Sequence, residues 1–280
     1  MEIIGNIPIP TSDNRYVIVD GFLVKDKKPK PIVILSHGFK GFKDWGHFNF
    51  IAQLFAEKGF IFLKFNFSHN GTSFRKPTEF VDLEAFGNNN FTKELDDLGK
   101  VIDWASSGEY IDKEEMDLDR LYLIGHSRGG AISILKASED DRVKKLVTWA
   151  ALNDFMNIWK NGKFEEWKND GVVMIENKRT EQQMPVYYQL YEDFENNKER
   201  LNIEEGVKKI NIPYLIVHGT ADESVPVEQA KTIHGWNSNT KLMEIDGANH
   251  TFGSSHPPGA TELTEHTRIV VDATMEFFRS

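Results

Sequence analysis

One stretch constrains this chain more than any other: Leu121-Tyr-Leu-Ile-Gly-His-Ser-Arg-Gly-Gly-Ala131. An apolar, strand-like run over 121–124 drives into Gly125-His126-Ser127-Arg128-Gly129, and a helix-forming stretch begins at Gly130. A strand that turns directly into a helix forces its middle residue into a strained backbone conformation, and small neighbours relieve the crowding. Ser127 is then expected to project its hydroxyl above the strand ends, at the positive end of the new helix. The G-x-S-x-G pattern with a strand before it and a helix after it reads as a nucleophile turn.

The rest of the chain supplies the sheet such a turn needs. Residues 2–9 and 15–25 read as an antiparallel hairpin or meander at a sheet edge. Residues 31–36, 60–67, 145–151 and 213–218 are apolar runs of the kind that form strands buried on both faces. Residues 241–245 make a last strand. Helical spacing appears over 47–58, 91–106, 227–236 and 264–279. Alternation of strands and helices predicts an α/β domain with a mostly parallel sheet of about eight strands, covered on both faces. Residues 153–210 break the rhythm. They are too long for an ordinary connection and show no buried-type strand, which predicts a helical cap insertion. The expected organisation is therefore a core of residues 1–152 and 211–280 with a cap of 153–210. The cap aromatics Trp159, Phe164, Trp167, Tyr187, Tyr188, Tyr191 and Phe194 suit either a substrate pocket or a small core.

Ligands of open parallel sheets bind at the carboxyl ends of the strands. Three of these ends carry Ser127, Asp222 and His250, in that chain order. A serine hydroxyl becomes a good nucleophile only when a neighbouring base takes its proton. An imidazole serves as that base, and a carboxylate both orients it and stabilises its cation. Glu223 and His256 are the sequence-adjacent rivals for the acid and the base. Asp222 fits the strand-end turn better than its neighbour, and Gly247-Ala-Asn leads directly off the last strand to His250. His37 and His126 are expected to hold loops by hydrogen bonds, and His218 to be a satisfied core or loop histidine.

Four motifs, His37-Gly38-Phe39, Gly125-His-Ser-Arg-Gly129, His218-Gly-Thr-Ala-Asp222-Glu-Ser-Val-Pro226 and Gly247-Ala-Asn-His250, span almost the whole chain. On these the chain resembles the α/β-hydrolase family, within the small serine esterases that include cinnamoyl and feruloyl esterase-like and dienelactone hydrolase-like proteins. The resemblance implies the α/β-hydrolase fold and a carboxylesterase acting on a small acyl or aryl ester, hydroxycinnamoyl esters included. It places the oxyanion hole at the backbone N–H groups of Phe39 and Arg128. Dienelactone hydrolases proper carry cysteine where this chain has Ser127, which favours the ester-hydrolase branch. His-Gly-Phe in place of His-Gly-Gly-Gly disfavours the hormone-sensitive-lipase-like branch. A small serine peptidase of the prolyl-oligopeptidase-like branch is the enzymatic alternative, and a non-catalytic binding module on the same scaffold is the alternative from another class.

Composition narrows the partners. The net charge of −10 argues against nucleic acid. The chain has no run of about 18 apolar residues, so no membrane span is expected. Absence of cysteine removes thiolate chemistry and disulfides, and with a start lacking the pattern of a secretory signal it suggests a cytoplasmic setting. Neither a metal-ligand spacing nor a phosphate-binding glycine loop is present, so no cofactor is expected. The expected partner is a small-molecule ester. Lys40, Lys43 and Arg75 read as solvated surface cations, with contact to an anionic substrate as the alternative. Oligomeric state is not legible.

Overall fold

The structure, a computed structural model, describes residues 1–156, 164–259 and 262–280. Its strands alternate with helices from β1 (Glu2–Pro10), β2 (Tyr16–Leu23) and β3 (Lys30–Ser36) through α1 (Phe48–Glu57) to β4 (Ile61–Asn66). Next come α2 (Leu83–Gly87), α3 (Phe91–Ser107), β5 (Met116–His126), α4 (Arg128–Glu139) and β6 (Val143–Trp149). After the insertion, β9 (Tyr214–Gly219), α8 (Glu228–Trp236), β10 (Lys241–Ile245) and α9 (Glu265–Arg279) complete the domain. The main sheet runs β1-β2-β4-β3-β5-β6-β9-β10. β1–β2 and β2–β4 pair antiparallel, and the remaining neighbours pair parallel. This is the α/β-hydrolase fold, with the expected hairpin at the edge.

Strand alternation explains why the apolar runs are continuous. Ile32, Ile34, Ile61, Leu63, Leu121 and Leu123 face one apolar cluster, which α3, α4 and α8 cover. Val33, Leu35, Phe62, Tyr122 and Ile124, the residues between them, face a second, which α1 and α9 cover. A strand with apolar side chains on both faces is stable only between two helical layers. Because β3, β5, β6, β9 and β10 are parallel, their carboxyl ends all open onto the same edge.

The insertion differs from the helical cap expected. It holds α5 (Phe164–Asp170), a two-stranded antiparallel hairpin of β7 (Val172–Asn177) and β8 (Gln182–Tyr187), and then α6 (Gln189–Asn196) and α7 (Ile203–Lys209). The hairpin escaped detection because β7 is half-exposed, with Met174 open to solvent, so it lacks the apolar run of a buried strand. It docks on the segment before α3. Tyr187 donates to Glu84 Oε2 at 2.7 Å, Gln182 Nε2 donates to the Phe80 carbonyl, and Gln189 Nε2 donates to the Asn89 carbonyl.

Most of the cap aromatics form a small core of their own. Phe164, Trp167, Tyr188 and Tyr191 pack edge-on, with ring centroids 4.7–6.3 Å apart. Phe194 packs on Phe91 of α3. Trp159 lies outside the described residues.

Lys43 is not the surface cation expected. Its ammonium is buried with that of Lys64, and both contact Asp20 Oδ2 and the Asp44 carboxylate. Asp20 Oδ1 also accepts the Asn6 N–H at 2.7 Å. This quartet joins β2, β4 and the loop after β3. Arg75 is exposed, as expected. Removing one partner of a buried ionic group leaves uncompensated charge, at a typical cost of ~3–5 kcal/mol. Asp20→Ala is therefore expected to lower unfolding free energy by about 3 kcal/mol or more, read from the midpoint of a urea titration.

Candidate active site

Ser127 sits between β5 and α4 with φ 55° and ψ −121°, a conformation that L-residues rarely adopt. Such backbone strain typically costs ~1–3 kcal/mol and must be held by its surroundings. Here the Ser127 N–H donates to the Trp149 carbonyl at 2.9 Å, and the Ser127 carbonyl accepts from Gly130 N–H at 2.9 Å. The turn also needs a close backbone approach. A β-carbon on Gly129 would lie 2.4 Å from the His37 carbonyl oxygen and 2.5 Å from that of Ser36. Only glycine lets α4 start this near the end of β3.

The ends of β9 and β10 meet in a similar way. A β-carbon on Gly219 would fall 2.1 Å from the Ala248 carbonyl oxygen, which accepts the Ala221 N–H at 3.0 Å. That contact brings Asp222 and His250 together. His250 Nδ1 lies 2.8 Å from Asp222 Oδ2, and His250 Nε2 lies 3.0 Å from Ser127 Oγ. An imidazole with its Nδ1–H on the carboxylate leaves Nε2 free to accept a proton from the hydroxyl. Asp222 is buried. Burial opposes its ionisation, but contacts from His218 and His250 and the Val225 N–H outweigh it and hold the carboxyl well below the usual range. The side chain is therefore a carboxylate throughout the neutral range. Glu223 is exposed, and His256 accepts the Gly46 N–H at 3.1 Å beside Trp45 and Phe42, so neither rival joins the group.

The flanking histidines have separate places. His126 Nε2 donates to the His250 carbonyl at 2.9 Å and so anchors the loop that carries the imidazole. Burial, reinforced by the neighbouring His250, pushes His126 down to about 3. His37 donates from Nδ1 to the Gly38 carbonyl at 2.9 Å, and burial lowers it to about 4. Both stay neutral at pH 7, so neither opposes a positive charge forming on His250.

His218 is more than a satisfied core residue. Its Nε2 donates to the Val225 carbonyl at 2.8 Å and lies 3.3 Å from Asp222 Oδ2, the same oxygen that His250 contacts. Its Nδ1 is buried without a partner among the described residues.

The Phe39 and Arg128 N–H groups are not engaged by another backbone carbonyl among the described residues. Their side chains touch. The Arg128 guanidinium lies 4.2 Å from the Phe39 ring centroid, and that ring stacks on Phe86 at 5.4 Å. Arg128 is buried in an ion pair with Glu94, whose Oε1 also accepts from Asn89 Nδ2 at 2.7 Å. Sequence reasoning used only the backbone of Arg128. The missed signal was Glu94, a charge lying on the apolar stripe of α3 between Phe91 and Leu98. No group of three or more metal-ligating side chains occurs among the described residues.

Ser127 and His250 open onto a cavity of about 230 Å³. His37, Phe39, Trp45, Phe48, His126, Ser127 and His250 line it. From the insertion come Asn177 and Arg179, and none of its described aromatics.

The family model of the prolyl oligopeptidase family matches residues 46–262. The chain belongs to this family. Fold and family together make it a hydrolase. "Putative esterase/lipase 2" of Mycoplasma genitalium is 26% identical over 274 residues, covering 88% of this chain and 92% of that protein. "Uncharacterized peptidase YuxL" of Bacillus subtilis is 24% identical, covering 86% of this chain but 35% of its own length. Among solved structures, Est1E from Butyrivibrio proteoclasticus superposes with a TM-score of 0.69 at 21% identity, covering 99% of this chain and 98% of its own. A second Est1E structure holds ferulic acid.

The neutral histidines make the site sensitive to acid. Below about pH 6.5 the unfolded chain protonates its His126, while the fold refuses that proton until about 3. The unfolded state then binds more protons, so stability is lost as pH falls. Wild type is expected to lose stability relative to His126→Gln between pH 7.5 and 5, by at most about 1.4 kcal/mol per pH unit, measured by denaturant titration at both values.

Proposed function

We propose that this hydrolase is a serine carboxylesterase with a Ser127–His250–Asp222 triad. The observation that carries the reading is the unbroken chain of contacts from Ser127 Oγ through His250 to Asp222, opening into a cavity whose apolar lining is Phe39, Trp45 and Phe48. In the proposed reaction Ser127 Oγ attacks the ester carbonyl as its proton passes to His250 Nε2. Asp222 holds the Nδ1–H and stabilises the imidazolium. The carbonyl oxygen, now an anion, is received by the N–H groups of Phe39 and Arg128, which point charge at the developing oxyanion. His250 then gives its proton to the departing alcohol, leaving an acyl group on Ser127. Water repeats the sequence, losing its proton to His250, and frees the acid.

The stacked Phe39–Arg128 pair supports the oxyanion assignment, because it ties together the two loops that carry these donors. The modest cavity favours a small acyl or aryl group, and the ferulic acid held by Est1E makes hydroxycinnamoyl esters the first to try. A cytoplasmic location is part of the same proposal. The family gives a second reading, a small serine peptidase, specific support. The same triad and oxyanion hole serve both bonds, and the two differ in the leaving group that must be protonated.

A fluorophosphonate probe is expected to label Ser127, and Ser127→Ala to lose both label and turnover. Persistent turnover in Ser127→Ala would refute the mechanism. Asp222→Asn is expected to lower kcat by about 10⁴ through the wrong imidazole tautomer. An aryl ester is expected to turn over faster than the matching anilide. The reverse order, in a direct comparison of kcat/KM, would favour the peptidase.

A further inference from the structure

The cavity above Ser127 carries positive charge on one wall and no carboxylate among its described lining residues, although the chain as a whole has a net charge of −10. The wall is built from two separate places. Lys40 comes from the loop after β3, directly following Phe39. Asn177 ends β7, and Arg179 comes from the turn between β7 and β8.

Arg179 is exposed, and its guanidinium lies 5.3 Å from the Phe42 ring centroid and 5.7 Å from that of Phe80. Partial burial lowers its basicity, with no carboxylate acting to raise it. The Lys40 ammonium donates to the Glu176 carbonyl at 3.2 Å and sits 6.0 Å over the Phe39 ring. Burial and the neighbouring Lys178 push Lys40 down, against a smaller opposing effect from Glu176.

Asn177 adds an independent observation. It is 5% exposed, and its Oδ1 accepts the Arg179 N–H at 3.3 Å. Its Nδ2 is buried and has no hydrogen-bond partner among the described residues. A buried amide donor left unpaired is costly, and an acceptor arriving with a ligand removes that cost. Guanidinium and ammonium groups seated on aromatic faces, beside a free amide donor, form a receptor for oxygen anions. The planar fork of arginine matches a carboxylate best.

We propose that the substrate carries a carboxylate besides its scissile carbonyl, received by Arg179 and Lys40 with Asn177 Nδ2 donating to one of its oxygens. The substrate class is then the half-ester of a short dicarboxylic acid, since the cavity of about 230 Å³ keeps the two ends close. This rests on the esterase reading above and deepens it. The insertion thus selects substrate through its hairpin turn, while its aromatics hold that hairpin in place.

The test compares kcat/KM for monoethyl glutarate with that for the size-matched neutral ethyl pentanoate, followed by proton release. Wild type is expected to favour the anionic ester by about tenfold or more, corresponding to about 1.4 kcal/mol. The ratio is expected to fall as sodium chloride rises, because the cations are partly exposed. Arg179→Ala is expected to lower the ratio about tenfold, and Arg179→Lys to keep most of it. Arg179→Glu is expected to reverse the preference toward ethyl 5-aminopentanoate. Arg179 lies on an exposed turn, so these variants are expected to fold. A ratio near one in wild type, or a ratio that neither Arg179→Ala nor Arg179→Glu moves, overturns the inference. Neutral-ester turnover with a ratio near one overturns this inference alone. Hydrolysis of neither ester, with no fluorophosphonate label, overturns the esterase reading as well.

Discussion

The contact of Gly129 with the backbone of Ser36 and His37 is the constraint on which the rest depends. It lets α4 begin where β3 ends, and so fixes the strained backbone of Ser127. That strain lifts the hydroxyl clear of the sheet and leaves the Arg128 N–H in the first turn of a helix, where it has no intrahelical partner. The same approach brings the loop after β3, with Phe39, over the serine. A larger residue at 129 would separate the three at once. The second close approach, Gly219 against Ala248, does for the acid and the base what the first does for the nucleophile.

Buried charges then hold the loops that these contacts bring together. Glu94 fixes Arg128, and Arg128 fixes Phe39 through its ring. The quartet of Asp20, Lys43, Asp44 and Lys64 ties the following part of the same loop to β2 and β4. His126 and His218 act beside them as hydrogen-bonding groups, one on the loop of His250 and the other on Asp222. Buried ion pairs are weak sources of net stability because desolvation opposes them. Their effect here is geometric, since each ties together segments distant in the chain.

The residues differ in how far they could be read from the chain. Ser127 and Asp222 were legible because each follows a strand with a buried apolar run, β5 and β9, whereas His250 follows the partly exposed β10 and was marked by the Gly247-Ala-Asn loop leading to it. The hairpin of the insertion was not, because β7 lies half in solvent and its period is blurred. Lys43 looked like a solvated cation, since its partners Asp20 and Asp44 are brought to it only by the pairing of β2 with β4. Glu94 left a trace, as a charge on an apolar helix face, whereas nothing local marks Asn177 or Arg179 as neighbours of Ser127.

The sequence by itself determined the layered fold, the strand-to-helix turn and the order of the three polar strand ends, because periodicity and glycine spacing are local properties of the chain. Tertiary structure alone decided which histidines support the site, which cations are buried in pairs, and which part of the insertion reaches the cavity. Those outcomes depend on contacts between segments tens to hundreds of residues apart, such as Asp20 with Lys64 or His126 with His250. Local spacing carries no record of such distances. Only packing the sheet and docking the hairpin on it makes them short.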